Sequence, residues 1–151
     1  MMRELKGVVL KQLLFEPTKR GDLLYFEGPV LSHFTDERGN DYFMNWVDAG
    51  KNFNRWLLTD VSKEHILKYL AGKMPWLKLI TDNAIGAVYF LDIDKEAEYK
   101  HIILVSPKDI PDEYLPEKDS FFEMKYAGKY AQELVKETEG LIDSRKQAHS
   151  L

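Results

Sequence analysis

Two short stretches, Asn45-Trp46-Val47-Asp48 and Phe53-Asn54-Arg55-Trp56, bring together residue types suited to holding an anion: a guanidinium, a carboxylate and flat aromatic walls. The intervening Ala49-Gly50-Lys51-Asn52 has the length and composition of a hairpin turn. If Asp48 opposes Phe53, strand alternation sets Trp46 opposite Arg55 and leaves Asp48 diagonal to Arg55 on the same face. Arg55 would then stack on Trp46 while pairing with Asp48, which fixes the register of the hairpin. Read functionally, the same three side chains form a ligand pocket, with Arg55 as anion clamp and Trp46 as a wall. Asn45 and Trp56 meet on the opposite face, so the sheet is expected to be covered on both sides, by helices over 62–81 and 126–145. Any part of the second face left bare becomes a partner-binding patch.

The remaining chemistry-bearing residues are few. His33 lies late in an apolar run, where it serves either as a hydrogen-bonded core histidine or, with Asp48, as an acid/base group. The other histidines, His65, His101 and His149, make no His-Glu-x-x-His pair with it or with each other, so no metal site is expected. Asp92-Ile93-Asp94 puts two carboxylates near a strand end, where they either share a hard cation or form a solvated turn beside Lys95. Tyr114 sits in the acidic, proline-interrupted loop Asp109 to Glu117, which either presents it to a basic partner or tucks it in as an ordinary loop anchor. No serine-nucleophile elbow, Walker loop or dinucleotide fingerprint occurs, and no cofactor is implied. With no cysteine, disulfides, thiolate nucleophiles and cysteine-held zinc are ruled out, which fits a reducing, cytoplasmic location.

These residues need a scaffold, and the pattern predicts one of the α+β class. Leu23 to Phe34, Asp41 to Asp48 and Phe53 to Asp60 read as a β-meander, with turns at Asp36 to Asn40 and Ala49 to Asn52. Gly28-Pro29 marks a break, bulge or edge in the first run. Val8 to Phe15 fits either a strand or a short helix, and strand is preferred; Pro17 to Asp22 reads as the turn after it. Ser62 caps a helix that Gly72 ends, Val61 and Ile66 form a hydrophobic staple, and Pro75 opens a second short helix with Trp76, Leu79 and Ile80 inward. Ala87 to Ile93 and Tyr99 to Val105 form another hairpin, which gives an antiparallel sheet of about five strands. Ile110, Tyr114 and Leu115 anchor the proline loop. Apolar residues from Tyr126 to Ile142 recur at helical spacing and predict a C-terminal amphipathic helix, weakened at Gly140 and frayed over 146–151.

A chain of 151 residues with 44% hydrophobic and 30% charged residues is expected to form one domain, 1–151. No stretch is long and apolar enough to span a bilayer, and the N-terminal run lacks a signal-peptide cleavage pattern. The formal charge of −4 and the scattered basic residues disfavour nucleic acid as a partner.

The stretch Tyr25-Phe26-Glu27-Gly28-Pro29-Val30-Leu31, followed by Gly39-Asn40-Asp41-Tyr42, Trp46-Val47-Asp48, Arg55-Trp56-Leu57-Leu58 and Val61-Ser62, resembles a family of small uncharacterised bacterial proteins classed as a domain of unknown function. The likeness takes in Leu70, Gly72 and Ile110-Pro111 to Leu115-Pro116, and so runs over about residues 23 to 117. It implies a compact cytoplasmic domain and brings no assigned catalytic residue. The residues themselves point first to a non-enzymatic protein-interaction or regulatory module whose partner and oligomeric state the sequence leaves open. The alternative is a small-molecule or nucleotide-binding enzyme built on Trp46, Asp48, Arg55 and His33.

Overall fold

The computed structural model describes residues 2–25 and 29–149. Seven strands form one antiparallel sheet: β1 (Val8–Leu10), β2 (Thr18–Tyr25), β3 (Pro29–Thr35), β4 (Asp41–Ala49), β5 (Phe53–Val61), β6 (Val88–Asp94) and β7 (Tyr99–Val105). Their order is β1-β7-β6-β5-β4-β3-β2, so β2 to β7 run as a meander and β1 closes the far edge. Helices α1 (Lys63–Leu70) and α2 (Trp76–Thr81) fill the connection between β5 and β6, and α3 (Lys129–His149) follows a loop with three 3₁₀ turns.

Local chemistry explains the joints. At the β3–β4 turn Asp36 accepts hydrogen bonds from the Arg38 and Asn40 amides, and Gly39 takes a φ of 81°. Burial raises the Asp36 pKa, but the bonds from Asn40, Tyr42 and Arg38 outweigh it and hold the carboxyl below its ordinary value. The Ser62 hydroxyl caps α1 by accepting from the His65 amide, and Val61 and Ile66 share one core cluster as a staple should. At the other end Lys73 donates to the Lys68 carbonyl and Gly72, at φ 73°, to that of Tyr69, which is a Schellman closure.

All three helices lie on one face. Leu31, Phe43, Leu57, Phe90 and Val105 from the strands pack there with Ile66, Tyr69, Leu79, Ala131 and Leu134, and the proline loop adds Ile110 and Tyr114. The opposite face holds a smaller cluster of Tyr42, Leu58, Leu91 and Ile102. Its cover is the N-terminal arm, whose Leu10, Leu13 and Phe15 pack on it; Phe15 stacks on Tyr42 at 4.8 Å with the rings nearly parallel. The expected division of the helices between the two faces is therefore wrong. The short connection after β5 and the return of the chain to β2 bring both helical segments to the same side, where α1 and α3 touch.

Other expectations change with the sheet. The run Leu23 to Phe34 is two antiparallel strands, with Tyr25 paired to Pro29, and the segment expected as a turn, Thr18 to Asp22, belongs to β2. The segment is accommodated on an edge strand, where an irregular ladder is least costly; of the three register shifts in that ladder one lies within it, between Lys19 and Gly21. Gly28 lies outside the described residues. Of Val8 to Phe15 only Val8–Leu10 pairs as a strand. The C-terminal helix starts at Lys129, leaving Tyr126 exposed in a 3₁₀ turn, and it continues through Gly140 and position 146 to His149. Among the described residues no helix is long and apolar enough to cross a membrane.

Candidate functional site

Arg55 sits on β5 directly opposite Asp92 on β6, and the two side chains make a bidentate pair at 2.7 and 2.9 Å. Asp92 is fully buried and also accepts from Nδ1 of His101, its neighbour on β7, at 2.9 Å. The guanidinium further donates to the Arg3 carbonyl and to the Tyr114 hydroxyl, so four of its five N–H groups are engaged. Tyr114 passes the chain of bonds on, donating to Asp48 at 2.6 Å. Burial alone would lower the Arg55 pKa, but the Asp92 carboxylate more than offsets this and raises it. For Tyr114, burial and the bond to Asp48 raise the phenol against the opposing pull of Arg55.

The expected register is displaced. Trp46 opposes Trp56, not Arg55; Asn45 opposes Leu57, not Trp56; and past a bulge at Val47, Asp48 opposes Arg55, not Phe53. A one-residue slip exchanges faces. Trp46 consequently leaves the Arg55 side and joins the open face, where its indole N–H donates to Asn54 at 3.3 Å. The bulge returns Asp48 to the helix side, within reach of Tyr114. Tyr114 itself is buried and points inward, not outward from the loop.

His33 belongs to a second polar cluster. Its Nε2 donates to Asp41 at 2.8 Å and its Nδ1 meets the Tyr130 hydroxyl of α3 at 2.7 Å, while Lys63 of α1 holds the other Asp41 oxygen at 2.7 Å. Burial raises the Asp41 pKa, but His33 and Lys63 together bring it below the ordinary value. Burial pushes the Tyr130 phenol up to about 12. Gly21 makes this contact possible, since a Cβ there would lie 2.5 Å from the Tyr130 ring. Asp41 and Asp48 sit at opposite ends of β4, on the order of 20 Å apart for an extended strand. His33 and Asp48 therefore do not converge.

Of the named residues, the structure brings together Arg55, Asp48 and Tyr114, and separates Trp46 and His33 from them. The Asp92–Asp94 pair is also parted: Asp92 is committed to Arg55 and His101, and Asp94 accepts the Glu96 and Glu98 amides and pairs with Lys100. Among the described residues no three His, Cys, Asp or Glu side chains converge on a common point that could hold a metal ion. Sequence reasoning missed Asp92 and Asp41 as organising carboxylates. The signal for Asp92 was present, because a carboxylate inside Val88-Tyr89-Phe90-Leu91 and before Ile93 must find a partner once buried.

On the open face, Phe34, Met44, Trp56 and Ile93 are partly covered and Trp46 is 42% exposed. Phe34, Met44, Trp56 and Ile93 border a groove of about 280 Å³ whose walls include Lys19, Asn54, Asp94 and Lys95, and Trp46 stands outside it, opposite Trp56 on the neighbouring strand.

A single antiparallel sheet with every helix on one face, two saturated polar clusters and a partly bare second face defines a two-layer α+β protein. The chain belongs to the Family of unknown function (DUF6575), whose model matches residues 24–139. No curated protein matches the chain, and no solved structure does.

Proposed function

We propose that the protein is a non-enzymatic interaction module that binds a partner protein through the open end of its sheet, around Trp46 and Trp56. The observation that carries this reading is the exposed Trp46 beside Met44, Trp56 and Ile93, on a face that neither the helices nor the arm closes. Tryptophan is among the residue types enriched as anchors at the centre of interfaces. Edge pairing is a poor alternative: β1 has three residues, and β2 is irregular and carries exposed Lys19 and Arg20. The enzyme reading finds less support, since Arg55 is 5% exposed and already engaged.

Charge selects the occupant. Lys19 and Lys95 line the groove; Lys19 is held by Asp22 at 2.6 Å, Lys95 makes no ion pair among the described residues, and Asp94 is neutralised by Lys100 and two amides, which leaves Lys95 as the groove's uncompensated charge. The partner segment is therefore apolar and carries a carboxylate at the Lys95 end. Selection from a displayed peptide library tests this. Enriched sequences should carry an Asp or Glu beside their apolar residues, lose binding to Trp46→Ala, and change their charge preference with Lys95→Glu. Enrichment without acidic residues, equal binding to Trp46→Ala, or a stable dimer that occupies this face would overturn it.

A further inference from the structure

Among the described residues, four buried side-chain polar atoms have no hydrogen-bond partner, and three of them belong to residues around one cavity: Asn45 Oδ1, Trp76 Nε1 and Ser120 Oγ. The cavity lies on the helix side of the sheet, away from the open face, and measures about 290 Å³. That is at the small end of the range for ligand sites, roughly 300–1,000 Å³. Leu24, Leu31 and Tyr69 supply apolar wall, and Phe121 and Tyr126, 48% and 73% exposed, stand at its rim.

Buried polar atoms without partners are costly, and natural proteins carry few of them. Three around one apolar cavity need a common explanation. Trp76 is 5% exposed and its indole nitrogen can only donate; the Asn45 oxygen can only accept; the Ser120 hydroxyl does either. Among the described residues no lysine, arginine or histidine lines the space, and Glu123 is the one charged residue there. An anion would therefore find no counter-charge there.

We propose that this cavity is a binding site for a small, neutral, planar molecule that carries an acceptor and a donor side by side, the pattern of a lactam or of the amide edge of a heterocycle. The ligand's carbonyl takes the Trp76 N–H, its N–H gives to Asn45 Oδ1, and Ser120 completes the set, while the ring lies among the aromatic and aliphatic walls. Every residue named here falls within the stretch that the family model matches, so the site belongs to the family's domain and not to the N-terminal arm. The inference does not rest on the partner-binding reading.

The test uses the full chain, uniformly labelled with ¹⁵N, and 2-quinolinone as the neutral lactam. Naphthalene serves as the apolar match and quinoline-2-carboxylate as the charged one. The indole N–H resonance of Trp76, identified by its loss in Trp76→Phe, is followed during titration. A saturable downfield shift with 2-quinolinone is expected, with binding at least about tenfold tighter than for naphthalene and none for the carboxylate. Asn45→Leu removes an unpaired acceptor, so it should fold and melt higher than the parent while losing about tenfold or more in lactam affinity. An unmoved Trp76 resonance at millimolar lactam, equal response to naphthalene, or undiminished binding by the folded Asn45→Leu protein would overturn the proposal. So would a crystal structure grown with the lactam in which ordered water alone satisfies the three atoms.

Discussion

Arg55 and Asn45 are polar residues on adjacent strands of the same sheet, both turned to the helix side, yet their surroundings are opposite in kind. Around Arg55 the hydrogen-bonding groups are matched: Asp92 takes two N–H groups, and Arg3 and Tyr114 take the others that are engaged. Around Asn45 three polar atoms are buried with nothing to bind. The first arrangement holds four parts of the chain together, namely the N-terminal arm, β5, β6 and the proline loop. The second contributes no such bond and weakens the fold. A buried polar group that is fully paired is explained by architecture; one left unpaired calls for an occupant.

This contrast can be broken experimentally. The largest effect is expected from Arg55→Ala, which strands the Asp92 carboxylate in the core and should cost about 3–5 kcal/mol in denaturant unfolding. Replacing the pair together, Arg55→Met with Asp92→Leu, should recover much of that loss, since no charge is then left alone. If the single and double variants are equally unstable, the cost lies in packing and not in the charge.

Asp41 sharpens the comparison at the other saturated cluster. Its folded pKa lies below the ordinary 3.8, so the carboxylate contributes stability that is present above that value and is lost as pH falls through it towards the folded value. Asp41→Asn should accordingly cost about 2 kcal/mol near neutrality, as expected for hydrogen bonds to a charged group. The difference from the parent should shrink as the pH is lowered below 3.8. A difference constant with pH would remove the charge from the account.

The sign reverses at the cavity. Asn45→Leu should stabilise by about 1 kcal/mol, because it deletes a desolvated acceptor without breaking a bond other than the long contact to the Trp46 carbonyl. The smallest effect belongs to Trp46→Ala, which should change the unfolding free energy by less than ~0.5 kcal/mol, as for surface positions generally. A large loss there would mean that the tryptophan serves the fold, and would remove the basis for a docking role.

Local patterns carried much of the architecture. The Ser62 cap, the Gly72 closure, the Asp36 to Asn40 turn and the inward Trp76, Leu79 and Ile80 each depend on a few neighbouring residues, and each is found as expected. The α+β class followed from them, but the expected direct pair of Arg55 with Asp48 does not form: Asp92 takes the guanidinium, and Asp48 is reached only through Tyr114, from a loop 59 residues beyond Arg55. Five strands are too few because the run Leu23 to Phe34 is two strands, Tyr25 pairing back to Pro29, and because β1 adds an edge to the sheet.

What the sequence determined by itself is therefore what short-range sterics and periodicity determine: where a capped helix or a tight turn falls, and which residues within an element want to be buried. The tertiary structure decided everything that depends on a single residue of register or on which side the chain returns. The Val47 bulge parted Trp46 from Arg55, and the path of the chain put every helix on one face and left Trp46 bare on the other. It also gathered Asn45, Trp76 and Ser120 around one cavity, because side-chain direction in a strand alternates with each step and contacts between distant segments are set only when the whole sheet is closed.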